Sequence, residues 1–184
     1  MNAAVRVWLL ALSLLLAASC ATPCTYRMRG RTYDLGALSG RVLSGGDPRY
    51  PSRLYNASVC GALAPPCIDE LSRQPLNGSV YQLTLAPTGI VAFCWDVLAH
   101  TGAPALLPPN NTGWGPQEAF VLRHTHAGDA HLSCSPNMTV DLRLHCLPNT
   151  TDQGAYKMEG TSDVQCHFNI VIQTPLVCTS QDKA

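Results

Sequence analysis

Cysteine is the residue type whose number and spacing first suggest chemistry here. The chain has nine cysteines in 184 residues. Cys20 lies at the end of an apolar leader. The other eight are Cys24, Cys60, Cys67, Cys94, Cys134, Cys146, Cys166 and Cys178. An even set in a secreted chain reads as a disulfide framework. A zinc site is the rival reading, but no C-x2-C occurs, and His131 before Cys134 stands isolated. Eight cysteines allow about 105 pairings, and spacing alone does not choose among them.

The leader supports the oxidising compartment. Met1 to Arg6 carry one positive charge, Val7 to Ala18 run apolar, and Ser19-Cys20-Ala21 supply small residues. This is a signal peptide over residues 1–21, cleaved after Ala21. The apolar run is too short for a membrane span, which needs roughly twenty residues. A bacterial lipobox at Cys20 is weakened by Ala17, which stands where leucine is usual. Sequons at Asn56, Asn77, Asn110, Asn137 and Asn149 add N-glycosylation acceptors, none with proline in the middle position. No second apolar run reaches spanning length, and the C-terminus carries neither a GPI-type tail nor a KDEL-like address.

Catalytic motifs are missing: there is no G-x-S-x-G, H-E-x-x-H or G-x-x-x-x-G-K-[ST]. His124-x-His126 would share a strand face and invite a metal, but exposed strand histidines are commoner than ligands. The expectation is no enzyme, no cofactor and no metal. The six histidines do offer a means of acid-sensitive ligand release. Twelve basic residues balance twelve acids, and losing Arg6 with the leader leaves a net charge of −1. Such a chain has no call on nucleic acid. Arg27, Arg29 and Arg31 recur at period two and would share one strand face, read as solvated.

Strands must position these groups. From Thr139 to Cys146, Val140, Leu142, Leu144 and Cys146 face one way, and Thr139, Asp141, Arg143 and His145 the other, outward. Cys166 to Gln173 repeats the scheme, with Cys166, Phe168, Ile170 and Ile172 inward. Val80–Leu85, Ile90–Asp96 and Ala119–His124 read as further strands, and Tyr26–Leu35 as an N-terminal hairpin or edge strand. Gly45-Gly46-Asp47-Pro48 and the stretch from Pro104 to Pro116 read as irregular. No segment after the leader has a helical period. These patterns predict one all-β domain over 22–184, a sandwich or flattened barrel of two sheets. Only three Phe and, with Trp8 in the leader, two Trp are left to feed its core, so cross-links count, each contributing about 2–4 kcal/mol.

The last four cysteines carry a family resemblance. They are spaced twelve, twenty and twelve apart, and the final pair frames CHFNIVIQTPLVC. Gly128-Asp129 precedes the first. With Tyr33-Asp34-Leu35-Gly36-Ala37-Leu38, Val59-Cys60-Gly61, Cys67 and Ala92-Phe93-Cys94 in order, the chain from about Cys24 to Cys178 resembles the mannose 6-phosphate receptor homology domain. The resemblance implies the flattened barrel, four disulfides (Cys24–Cys60, Cys67–Cys94, Cys134–Cys166 and Cys146–Cys178) and residence in the secretory lumen (Golgi, endosome or lysosome) or secretion.

The family's mannose binders use Gln, Arg, Glu and Tyr, side chains that satisfy sugar hydroxyls. Carried over one at a time, the glutamine falls on Trp95, the arginine on Met138, the acid on Met158 with Glu159 next to it, and the tyrosine on Phe168. Arg143 or Arg123 becomes the guanidinium if the alignment slips. Trp95, Met138 and Phe168 cannot reproduce those hydrogen bonds, whose loss costs about 1–3 kcal/mol each. They mark either a repurposed apolar pocket or plain core. The resemblance then implies a non-enzymatic binding module for a glycoprotein or protein ligand. Its alternatives are a mannose-type lectin or a substrate-recognition subunit beside a catalytic or receptor chain. A glycan on Asn137 would block the pocket.

Overall fold

A computed structural model describes residues 24–61, 78–99, 103–109, 118–127, 137–163 and 166–179. The leader, Cys67, Cys134, Asn77 and Asn110 lie outside the described residues, as do the side chains of Trp95, His126 and Asn137. The described residues are all-β, with 3₁₀ turns at Gly36–Leu38 and Pro175–Val177 and no α-helix.

Strands β1 (Thr25–Met28) and β2 (Arg31–Asp34) form a hairpin. Its two-residue turn places Arg29 at φ 49° and Gly30 at φ 77°, the left-handed pair that matches the twist of flanking strands. Arg29 is therefore a turn residue. Arg27 pairs with Thr32 and Arg31 with Met28, which puts those two arginines on opposite faces. The single arginine face expected from period two does not form.

The other nine strands are β3 (Leu43–Asp47), β4 (Tyr50–Ala57), β5 (Gly78–Leu85), β6 (Val91–Ala99), β7 (Ala105–Leu107), β8 (Glu118–Ala127), β9 (Asn137–Cys146), β10 (Lys157–Ser162) and β11 (His167–Thr174). They lie in the order β6-β5-β4-β3-β10-β11-β9-β8-β7. The β3–β10 and β9–β11 contacts are parallel, and the rest are antiparallel. Val80 and Val97 near one end of this order share a core with Phe120 and Leu122 near the other. A sheet can bring both ends into one core only by curling back over itself. The β1–β2 hairpin adds Tyr33, whose ring centroid sits 4.9 Å from that of Phe120.

Two segments read as irregular contain strands. Gly45, Gly46 and Asp47 belong to β3, and Ala105–Leu107 pairs with β8 as β7. Gly45 has a steric reason: a Cβ there would strike the Met158 carbonyl of β10. Small residues let the two backbones approach, which turn chemistry alone does not reveal. No sequence pattern predicts β10; its Met158 and Gly160 are buried while Lys157 and Glu159 are exposed. Cys166 sits at φ 60°, just ahead of β11 rather than in it.

Disulfides join Cys24 to Cys60 and Cys146 to Cys178. The first ties the entry of β1 to the segment after β4, and the second ties the end of β9 to the residue following the last 3₁₀ turn. Cys94 and Cys166 are also disulfide-bonded.

Candidate functional site

The polar side chains of β9 do not face water. Asp141, Arg143 and His145 retain only 0, 7 and 4 % of their accessible surface, against the outward reading given by alternation. Buried charges persist only when paired and hydrogen-bonded. Their partners come from neighbouring strands: the register aligns Arg123 of β8, Asp141 of β9 and Asn169 of β11 in one row, and Val121, Arg143 and Val171 in the next.

Asp141 is the centre. Arg123 donates from Nε to Oδ1 and from Nη2 to Oδ2, both at 2.7 Å, the paired fork geometry of guanidinium and carboxylate. Oδ2 also accepts from Arg143 Nη2 at 3.3 Å and lies 3.1 Å from His167 Nε2. Arg143 spends its other nitrogens on Glu118 Oε1 at 3.1 Å and on Asn169 Oδ1 at 3.0 Å. Burial pushes the Asp141 carboxyl up, but hydrogen bonds from Arg123 and His167, with the charges of both, more than offset it and hold the group below its ordinary value. The same hydrogen bond raises Arg123. Burial, then the Arg143 charge, depresses His145, whose Nε2 has no partner among the described residues. Both effects favour the neutral imidazole.

Two guanidiniums against two carboxylates leave this network with its charge internally compensated. Its chemistry is that of a rigid polar clasp between strands. A cleft of about 410 Å³ lies elsewhere, lined by Arg31, Thr32, Tyr33, Leu176, Cys178 and Thr179, and shares no residue with the network. No cluster of three or more metal-ligating side chains occurs among the described residues.

The residues carried over from the family pattern divide between two faces. Met138, Met158 and Phe168 are buried together in the main core. Arg143 lies on the opposite face of β9, inside the polar network, and exposed Glu159 shares its row through Val171. The Trp95 backbone pairs with Gln82 on β5. Met138, Met158 and Phe168 thus come together, while the two charged residues stand apart from them. Sequence reasoning missed Glu118 and Asn169 as partners of Arg143. The alternation that put Asp141 and Arg143 on one face was a usable signal, but the strands flanking β9 were not.

Of the sequons, Asn149 is exposed at φ 63°, and Asn56 on β4 accepts a hydrogen bond from Ser44 Oγ at 2.8 Å.

No protein-family profile matches the chain, and no curated protein does. Among solved structures it is similar to domain 11 of the echidna mannose 6-phosphate/IGF2R receptor, determined by NMR, with 18% sequence identity over 86% of this chain and 96% of that one. The TM-score is 0.37, and at that value the likeness decides neither fold nor function.

Proposed function

We propose that residues 22–184 form a non-enzymatic binding module of the secretory or endolysosomal lumen, related to mannose 6-phosphate receptor homology domains in cysteine pattern, with a protein rather than mannose as its ligand. One observation carries the reading: the positions matching the family's sugar contacts hold Met138, Met158 and Phe168, all within the apolar core. Buried apolar side chains offer sugar hydroxyls neither donor nor acceptor. The arginines that an alignment slip would recruit, Arg123 and Arg143, are both committed to carboxylates. The Cys24–Cys60 and Cys146–Cys178 bridges suit an oxidising compartment. No helix among the described residues is long and apolar enough to cross a membrane.

The test is a glycan array probed with the secreted, disulfide-intact protein, carrying high-mannose and phosphomannosyl ligands at neutral and acid pH. The expected result is no mannose-dependent signal. Binding competed by free mannose or mannose 6-phosphate, and lost in Glu159→Gln, would overturn the reading.

A further inference from the structure

The hairpin of β1 and β2 holds the arginines that the rest of the molecule leaves uncommitted. Arg41 donates to the Gly154 carbonyl, Arg49 donates to the Ser162 carbonyl, and Arg53 lies over the Tyr50 ring. Arg123 and Arg143 are paired with carboxylates. Arg27, Arg29 and Arg31 are exposed and have no ion pair or side-chain hydrogen bond among the described residues. Of these three, Arg31 lines the cleft of about 410 Å³, together with Thr32, Tyr33, Leu176, Cys178 and Thr179. That volume falls in the usual range of ligand sites, roughly 300–1,000 Å³. Among the described strands β2 pairs with β1 alone, so its other edge is free. In a two-residue hairpin the pair closing the turn, Met28 and Arg31, exchanges both ladder hydrogen bonds, and the next pair, Arg27 and Thr32, exchanges none. Thr32 therefore turns its backbone N–H and C=O toward the free edge. The cleft is also firmly built. Tyr33 packs its ring 4.9 Å from that of Phe120, and Cys178 is bonded to Cys146 and donates its N–H to the Pro175 carbonyl at 3.2 Å.

We propose that this cleft binds an extended acidic segment of a partner protein, which pairs its backbone with Thr32 and sets a carboxylate on Arg31. The proposal deepens the reading of the domain as a protein-binding module and rests on it. Charge selects the acid: Cys24 to Tyr33 hold three arginines and no carboxylate, and Asp34, which follows, already accepts from the Gly36 N–H at 2.8 Å. A guanidinium presents a planar fork of donors that matches a carboxylate. Backbone selects the peptide. An N–H and a C=O offered side by side on a strand edge are met together by another strand, and neighbouring side chains then supply the specificity. A sulfated sugar would satisfy the arginine and leave both Thr32 groups unmet. Because the cleft is already formed, few groups need ordering on binding, which preserves affinity in a small contact.

The test is fluorescence anisotropy on the secreted, disulfide-intact chain with a labelled peptide of alternating glutamate and valine, and the same peptide with glutamine for glutamate. Alternation puts the carboxylates on one face of the added strand. Saturable binding of the acidic peptide is expected, weaker by about tenfold for the glutamine peptide and for Arg31→Gln, the scale of one charge-assisted hydrogen-bonded pair. Arg27→Gln removes the same charge from the other face of the hairpin and should change affinity by less than about twofold. Hydrogen exchange on the wild type reads the backbone half: the Thr32 amide should gain protection when peptide is added, while β10 stays constant. No binding of the acidic peptide would overturn the proposal, as would an equal loss in Arg27→Gln and Arg31→Gln. Full displacement by a heparin oligosaccharide with no protection at Thr32 would also overturn it, in favour of a polyanion surface. Each of these failures leaves the glycan-array result standing, so the two readings fall separately.

Discussion

Arg123 and Asp141 face each other across the β8–β9 ladder, and each guanidinium nitrogen involved meets a different carboxylate oxygen at 2.7 Å. The Asp141 side chain is fully buried, whereas that of Arg123 stays 39% exposed. The acid is thus the member that cannot find water if the pair is broken. It also serves Arg143 and His167 on its second oxygen. Asp141→Asn therefore leaves a largely buried Arg143 short of a counter-charge, and should lower unfolding free energy by about 3–5 kcal/mol. Arg123→Ala leaves Asp141 with two partners and should cost clearly less. Urea unfolding of both variants checks the ranking.

Asp141 and His145, two residues of the same face of β9, make stability pH-dependent in one direction. His145 is depressed below 6.5 in the folded state, so the unfolded chain binds the proton more readily. Its contribution is complete above pH 6.5 and falls as pH drops toward the lower folded value. Asp141 is depressed below 3.8, so its contribution is complete above that value and is lost as pH falls through the folded one. Thermal melts should show a first decline beginning near pH 6.5 and a second below pH 4. The first should flatten in His145→Gln, with the second unchanged.

Gly160 of β10 lies under the fully buried Tyr55, and a Cβ there would run into the ring. Gly45 of β3 has the Met158 carbonyl in the same position. Gly160→Ala and Gly45→Ala should each destabilise by about 1–3 kcal/mol, because a packed core and a backbone ladder give way poorly. Gly89→Ala offers the contrast. It has open space around it, and its cost comes from φ 80° alone. Comparing the three in one denaturation series separates steric from backbone causes.

The Cys146–Cys178 bridge closes a loop of 32 residues. Restricting an unfolded chain over that span contributes about 3–4 kcal/mol in the loop-entropy account. The Cys146→Ser, Cys178→Ser double variant should lose stability on that scale while keeping its strand signal in far-UV circular dichroism. A drop in strand content without denaturant would instead mean that the β9 terminus unravels with the bridge.

Much of the architecture could be read from residue order. Alternation from Thr139 to Cys146 and from Cys166 to Gln173 located β9 and, apart from Cys166, β11, because a strand with one apolar face writes its period into the sequence. It failed for β3, where two glycines that resemble turn residues serve a close strand approach, and for β10, whose six residues carry too few large apolar side chains to signal a strand.

By itself the sequence determined the all-β class, the supply of cysteines and the shared face on which Asp141 and Arg143 would stand, since these follow from composition and from a period of two. Only the tertiary structure decided that β8 and β11 flank β9. That neighbourhood turned a polar strand face from a solvated surface into a buried clasp of Arg123, Glu118 and His167. The same is true of the strand order that sets Met138, Met158 and Phe168 on three neighbouring strands of one core. Strand order rests on contacts between residues far apart in the chain, and no local pattern encodes them.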